Sequence, residues 1–114
     1  MKTLVLQGPF LTRKQAARAL GIDRDQIRGR PDLLRVTGLL EECYFEFQCQ
    51  SDRLMKDVGR VVLAMRGQLT DIEIADWMVR QNSDLREMTP LAWIQHGLGM
   101  HTAIRVATAS ASRS

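Results

Sequence analysis

Residues 69–94 read LTDIEIADWMVRQNSDLREMTPLAWI and contain both tryptophans of the chain and two helix-start signals. Thr70 and Glu73 have the spacing of a capping box, in which a hydroxyl and a carboxylate each bind a backbone N–H of the first turn. Thr89 precedes Pro90, and proline is favoured at the first helical position because its missing N–H would have no partner there. We therefore predict two helices joined by a loop.

The first of these helices carries an apolar band wider than one buried face needs, so we expect it to be covered on more than one side and to belong to the core. The loop that follows, residues 81–88, is polar except for Leu85, which we expect to anchor it. Connecting loops lie on the surface and often carry function. This loop is therefore a candidate surface for binding another molecule.

The order of Trp77, Asn82, Leu85, Thr89 and Pro90 resembles the toxin-binding domain of the Xre/MbcA/ParS-type antitoxins. The resemblance covers about 70 residues, from position 39 to position 109. It implies a mostly helical domain that binds and silences a RES-domain toxin acting on NAD, often next to a DNA-binding module. A protein partner of that class is therefore the leading expectation.

Upstream of this motif, Phe45 and Phe47 with Gln48 resemble a short Phe-Gln segment that often precedes it in the family. The chain also departs from the family pattern. Gln81 stands where the family usually has proline, and Glu87 stands where it usually has glycine in the turn. A different loop path and a different partner are therefore open alternatives.

Five residues are predicted to form or support the partner-binding surface, and tryptophan and arginine are the types that most often dominate interface energy. We expect the two tryptophans to lie in the core, and the arginine and the asparagine to lie on the surface. The predicted residues are Trp77, Arg80, Asn82, Leu85 and Trp93.

Charge is distributed unevenly along the chain. Residues 1–38 carry eight Lys and Arg against three Asp and Glu, a net charge of +5, whereas residues 39–114 carry eight against ten, a net charge of −2. A basic first third suits contact with an anion such as nucleic acid. It is also common on an ordinary solvated surface.

The same basic third has the pattern of a helix-turn-helix. Thr12 can cap a helix that runs to Gly21, and an apolar residue six positions later, Ile27, can lock a second helix over residues 23–30. The pattern resembles the compact helix-turn-helix of excisionase-like and MerR-like regulators. The predicted DNA-binding residues are Arg13, Lys14, Arg24, Gln26, Arg28 and Arg30.

A plain packing or dimerisation hairpin is the alternative, because Asp23 and Asp25 near the start of the second helix would oppose a phosphate. Asp23 is also a good N-cap residue in its own right. After the hairpin, residues 32–36 predict a short turn of helix. The junction between two units is placed at Thr37 and Gly38.

Residues 43–50 alternate between apolar and polar side chains, which predicts a half-buried strand. A single strand needs a partner, so either residues 3–6 or a second copy of the chain must pair with it. Further along, periodicity predicts a helix over residues 56–66, closed by Gly67, and a last helix around residues 100–107. The small polar residues 110–114 predict a disordered tail.

Taken together, the predicted fold class is mainly α. We expect a helix-turn-helix-like unit over residues 1–38, then a small helical domain with a short strand segment over residues 39–109. The composition, 45% hydrophobic and 25% charged residues, suits a globular protein, and no apolar run approaches the roughly 20 residues of a membrane span. The three-residue apolar run near the start is too short for a signal peptide, so we expect a cytoplasmic protein.

The sequence shows no arrangement that favours catalysis, a metal or a cofactor. His96 and His101 are five residues apart with glycines between them, which is not the spacing of a helical metal pair. Cys43 and Cys49 are expected to be reduced thiols. The acids at positions 71, 73 and 76 suit the positive end of a helix dipole better than acid–base chemistry.

We therefore expect a non-enzymatic, antitoxin-like protein without cofactors that regulates its own operon. The alternative functions are a stand-alone DNA-binding regulator, of phage or prophage origin, and an interaction adaptor without a toxin partner. Homo-oligomers are expected for the DNA-binding form, because a dimer would match a palindromic site.

Overall fold

The computed structural model describes residues 9–27, 29–37 and 42–113. They form a mainly α protein with a small three-stranded sheet, which confirms the predicted fold class. The α-helices are α1 (Arg13–Leu20), α2 (Arg24–Ile27), α3 (Asp52–Met65), α4 (Asp71–Met78), α5 (Pro90–Gln95) and α6 (Met100–Ser112). The strands are β1 (Phe10–Thr12), β2 (Arg35–Thr37) and β3 (Glu42–Phe45), and short 3-10 helices span Glu46–Cys49 and Ser83–Leu85.

Both helix starts predicted in residues 69–94 are confirmed. The Thr70 hydroxyl accepts a hydrogen bond from the Glu73 N–H at 3.2 Å, and the Glu73 carboxylate accepts one from the Thr70 N–H at 2.9 Å. At α5, the Thr89 hydroxyl accepts from the Ala92 N–H at 3.0 Å, and Pro90 occupies the first turn. These bonds satisfy donors that a helix otherwise leaves unpaired.

The sheet has the order β1-β3-β2, and β3 pairs with both neighbours in antiparallel fashion. The partners of the predicted strand therefore come from the chain itself, not from a second copy, and residues 3–6 lie outside the described part. The helical turn predicted over residues 32–36 is wrong, because Arg35–Thr37 form a strand. Extended backbone there supplies the second edge that β3 requires.

The strand predicted over residues 43–50 is also wrong beyond Phe45, where the chain turns into the first 3-10 helix. Tyr44 and Phe45 are neighbours and are both fully buried, because the two faces of β3 face two different clusters of apolar side chains. The alternation of apolar and polar residues over positions 43–50 therefore predicted incorrectly which side chains are buried. Gln48, expected on the solvent side, is completely buried.

Two hydrophobic clusters lie on either side of the sheet. The smaller contains residues of α1 and α2, and the larger is centred on α3, which packs extensively against α6. β3 belongs to the predicted second unit and pairs with β1 and β2 of the predicted first unit. The boundary at residue 38 lies outside the described residues, so the division into units stays a prediction.

Arg66, just after α3, links the β2 region to the start of α4. Its guanidinium donates to the backbone oxygens of Pro31 at 2.6 Å and Leu33 at 3.1 Å, and to the Asp71 carboxylate at 2.6 Å. The second oxygen of Asp71 accepts from the Arg35 N–H at 2.9 Å. This N–H is therefore occupied by a side chain, which limits pairing of a further strand with β2.

Two helix boundaries differ from the predictions for reasons visible in the packing. α3 begins at Asp52, capped by Ser51, rather than at residue 56. α6 continues to Ser112, so the tail predicted to be disordered from residue 110 is helical, and Ala111 is buried against the larger cluster. A buried alanine near the chain end explains the added helical turn.

Within the described residues, no helix combines the length and the apolar character that crossing a membrane requires.

Candidate protein-interaction surface

The loop between α4 and α5 is a closed, internally bonded structure. The Asn82 N–H donates to the Met88 oxygen at 3.0 Å, and the Glu87 N–H donates back to the Asn82 oxygen at 3.0 Å. The Asn82 side chain also accepts from the Asp84 N–H at 2.9 Å. Leu85 is completely buried beneath the loop, as the predicted anchor. The loop therefore presents a defined shape to solvent.

Backbone strain is concentrated at the tip of this loop. Arg86 and Glu87 have φ values of 56° and 65°, in the left-handed region that glycine adopts easily and other residues do not. Glu87 is the position where the antitoxin family usually has glycine. Non-glycine residues are held in this region only where the surroundings over-determine them, and such strain clusters at functional sites.

Arg80 leaves the end of α4 in a fixed orientation. Its Nε lies 2.8 Å from each oxygen of Asp76, one helical turn earlier. The Arg80 side chain is 41% exposed, whereas that of Asp76 is 2% exposed. The hydrogen bond to Asp76 raises the pKa of the Arg80 guanidinium above its usual value, so this group stays charged at physiological pH.

The five predicted partner-binding residues divide into surface and support. Trp93 is buried, and its Nε1 donates to the Gly99 oxygen at 2.9 Å, which ties α5 to the start of α6. Leu85 is fully buried, and Trp77 packs partly buried against the larger cluster. Arg80 and Asn82 reach solvent. A partner can therefore contact the arginine and the asparagine, while the apolar residues shape the surface beneath them.

A groove of about 320 Å³, which was not predicted, includes Val79 in its lining, next to Arg80 in the chain. Four separated parts of the chain line it, so no local motif could reveal it. Apolar and polar side chains both line it, as is common in binding sites. The lining residues are Pro9, Glu46, Phe47, Gln50, Val79, Leu91 and Gln95.

Of the two helices predicted for a helix-turn-helix, the structure has the first at its expected length and the second as a much shorter helix. α1 ends at Gly21, which adopts a left-handed conformation with φ of 68°, as the turn requires. The second helix, predicted over residues 23–30, is only the four-residue α2. Gly29 has φ of 77°, a backbone conformation that no helix can include. The segment proposed to enter a DNA groove is therefore about one turn long.

The six predicted DNA-binding residues differ in exposure and in their contacts. Lys14 and Arg24 are exposed, and so is Gln26, whose side chain accepts from the Asp23 N–H at 2.8 Å as part of the start of α2. Arg28 lies outside the described residues.

The two remaining arginines bind carboxylates of the same chain. Arg13 donates to Glu42 at 3.3 Å, and Arg30 donates to Asp32 at 2.8 and 2.7 Å. The Arg30 guanidinium holds the pKa of Asp32 below its usual value. These two arginines are therefore partly neutralised before any nucleic acid approaches.

The three acids on α4, first attributed jointly to the helix dipole, have three separate contacts. Asp71 binds Arg66 and the β2 backbone, Glu73 completes the capping box, and Asp76 binds Arg80. In the part of the chain that the structure describes, no group of three His, Cys, Asp or Glu side chains could hold a metal ion.

Comparison of the chain with protein-family models, with curated proteins and with solved structures found no match in any of the three. The resemblance to antitoxins therefore rests on the residues quoted for it, and functional inference rests on the geometry of the surface.

Proposed function

We propose that residues 39–109 form an antitoxin-like module that binds and neutralises a RES-domain toxin, as a cytoplasmic, non-enzymatic protein. The observation that supports this most is the closed loop between α4 and α5. It presents Asn82, beside the exposed Arg80, on a fixed scaffold anchored by buried Leu85.

A fixed loop favours binding because little conformational freedom remains to be lost when the partner arrives. The order of Trp77, Asn82, Leu85 and the Thr89–Pro90 helix start is the feature that suggests a toxin as that partner. Buried Trp93 and partly buried Trp77, together with an arginine and an asparagine that reach solvent, suit a surface in which a few residues supply most of the binding energy.

Calorimetric titration tests the proposal. The ligand is an inactivated variant of the RES-domain protein encoded beside this chain in its genome. We expect a stable complex with the wild-type chain, and a loss of affinity of about tenfold or more for Asn82→Ala combined with Arg80→Ala. Arg18→Ala, an exposed arginine on α1, is the matched control and should leave affinity unchanged. Failure of the wild-type chain to bind at micromolar concentrations, or the lack of such a neighbouring gene, would overturn the proposal.

DNA binding by the basic N-terminal hairpin is the second candidate, and it is compatible with the first because an antitoxin that represses its own operon needs both activities. The specific observation in its favour is the exposure of Lys14, Arg18 and Arg24 on α1 and α2, in the part of the chain with a net charge of +5. We propose that a dimer binds a palindrome with half-sites about 34 to 36 Å apart.

A gel shift on the promoter of the chain's own gene tests this second function, and affinity should fall steeply with salt as counterions are released. The combined change of Lys14→Ala and Arg24→Ala should abolish the shift, whereas Lys56→Ala, an exposed lysine on α3, should preserve it. If no shift occurs at low salt, with or without the toxin, the hairpin serves only in packing, and the proposal that it binds DNA is rejected.

A further inference from the structure

Asp76 is the one buried carboxylate among the described residues, with 1% of its surface exposed. Removing a carboxylate from water costs several kcal/mol unless a partner and hydrogen bonds compensate. A neutral residue could complete the second turn of α4 without that cost. The burial of this charge therefore calls for an explanation beyond helix formation.

The geometry of the pair suggests what the charge does. Both oxygens of Asp76 accept from Arg80 Nε at 2.8 Å, and the buried end of the pair holds the exposed end in place. An arginine on a surface otherwise samples many rotamers, and fixing it on binding costs up to about 2 kcal/mol. Because Asp76 has already fixed Arg80, that cost is reduced when a partner binds.

We infer that Asp76 is a positioning residue that holds Arg80 to receive an acidic side chain, aspartate or glutamate, of the protein partner. The inference rests on the proposed function, since it names the chemistry recognised at the same surface. A guanidinium matches a carboxylate in geometry and charge. The partner in the proposed function is a protein, so the anion that it can offer to Arg80 is a side-chain carboxylate.

A second ion pair on the chain provides the control. Arg53 and Asp57 are also four residues apart on a helix, with their closest atoms 3.3 Å apart, but the Asp57 side chain is 20% exposed and the pair lies on α3. Such exposed pairs contribute little to stability. Asp57→Asn therefore matches Asp76→Asn in chemistry while leaving Arg80 untouched.

The experiment is a double-mutant cycle on affinity for the inactivated RES-domain protein, with melting curves to verify that each variant is folded. Arg80→Ala should weaken binding by about 10- to 100-fold, the range for a charge-assisted hydrogen bond. Asp76→Asn should weaken it by about fivefold or more alone and have no further effect in the Arg80→Ala background. Asp57→Asn should leave affinity unchanged in both backgrounds.

If the charge of Arg80 contributes to binding, the loss of affinity caused by Arg80→Ala should be smaller at high salt, because salt screens the charge. A loss of helix stability would not show this dependence on salt. If Asp76→Asn does not fold, Arg80→Lys replaces it, because lysine keeps the charge but lacks the planar fork; affinity should fall by about fivefold or more.

Each contrary outcome has a separate meaning. Tight binding that Arg80→Ala or Arg80→Lys leaves unchanged overturns this inference and leaves the proposed function intact. An equal effect of Asp76→Asn with and without Arg80, or an equal effect of Asp57→Asn, overturns the positioning role. Failure of the wild-type chain to bind the toxin overturns both.

Discussion

The side-chain amide of Gln48 binds both backbone polar groups of Leu34. Its oxygen accepts from the Leu34 N–H at 2.8 Å and its nitrogen donates to the Leu34 oxygen at 2.7 Å, and both residues are completely buried. The amide therefore satisfies groups that would otherwise be unpaired in the core, next to the start of β2. In this way the first 3-10 helix is attached to the chain that enters the sheet.

Replacing Gln48 should destabilise the protein strongly. Gln48→Leu keeps a similar volume but leaves the Leu34 N–H and oxygen buried without partners, so we expect a loss of about 2 to 5 kcal/mol in the free energy of unfolding. Urea denaturation measures it. Gln50→Leu, an exposed glutamine two residues later, should change stability by less than about 0.5 kcal/mol. Equal effects of the two variants would contradict the role of the Leu34 contact.

The local signals of the sequence predicted the helices well. Thr12, Thr70 and Thr89 each cap the helix that they were expected to cap, because capping depends on residues three positions apart. The sheet was harder to predict. Gln48 was predicted to face solvent on a strand. Its partner, Leu34, is fourteen residues away, and no local pattern reveals that a side-chain amide will bind the backbone of Leu34 as a neighbouring strand would.

Arg66 should matter through its shape as well as its charge. Arg66→Lys keeps the charge but cannot reach Pro31, Leu33 and Asp71 at once, so we expect a loss of about 1 to 3 kcal/mol. Arg60→Lys, at an exposed position of α3, is the matched control and should have little effect. Thermal unfolding of the two variants side by side distinguishes them; equal midpoints would show that the contacts of Arg66 add nothing to stability.

The strained loop tip predicts a stabilising substitution. Glu87→Gly removes the side-chain clash of a left-handed residue, and we expect a gain of about 1 kcal/mol. Glu87→Ala keeps the Cβ atom and should give no such gain. If both variants have the same denaturant midpoint, the positive φ at this position does not cost stability.

Burial raises the pKa of the Cys49 thiol from its ordinary value of 9.0 to about 11, and Glu46 adds to the shift. Because the folded-state pKa is the higher one, this group's contribution is fully present below pH 9 and is lost as the pH rises from 9 to about 11. We therefore expect the free energy of unfolding to fall less steeply across that window in Cys49→Ala than in the wild-type chain. Parallel curves for the two proteins would contradict this assignment.

Thiol labelling gives an independent measure of the same environment. Cys43 is partly exposed and Cys49 is buried, so a thiol reagent at pH 8 should modify Cys43 first. Cys43→Ser should remove the fast phase, and Cys49→Ser should remove the slow one. Faster modification of Cys49 than of Cys43 would show that Cys49 is not buried.

The surface residues were predictable only in part. Arg80 and Asn82 were expected at the surface and lie there, because they flank a polar loop. The contact of Asp76 with Arg80 could not be predicted, since an acid on the first turns of a helix is explained equally well by the dipole until its burial is known. The reduced length of α2 was not predicted, although Gly29, which follows it with a positive φ, is of the residue type that commonly ends a helix.

The intracellular NAD level is the most direct test of the proposal that this chain neutralises a toxin acting on NAD. Cells that express an active RES-domain toxin of the proposed partner class should lose NAD and stop growing. Co-expression of the wild-type chain should restore NAD, and the combined variant of Arg80→Ala and Asn82→Ala, produced at the same level, should restore it poorly. NAD that stays depleted in the presence of the folded wild-type chain would contradict the account.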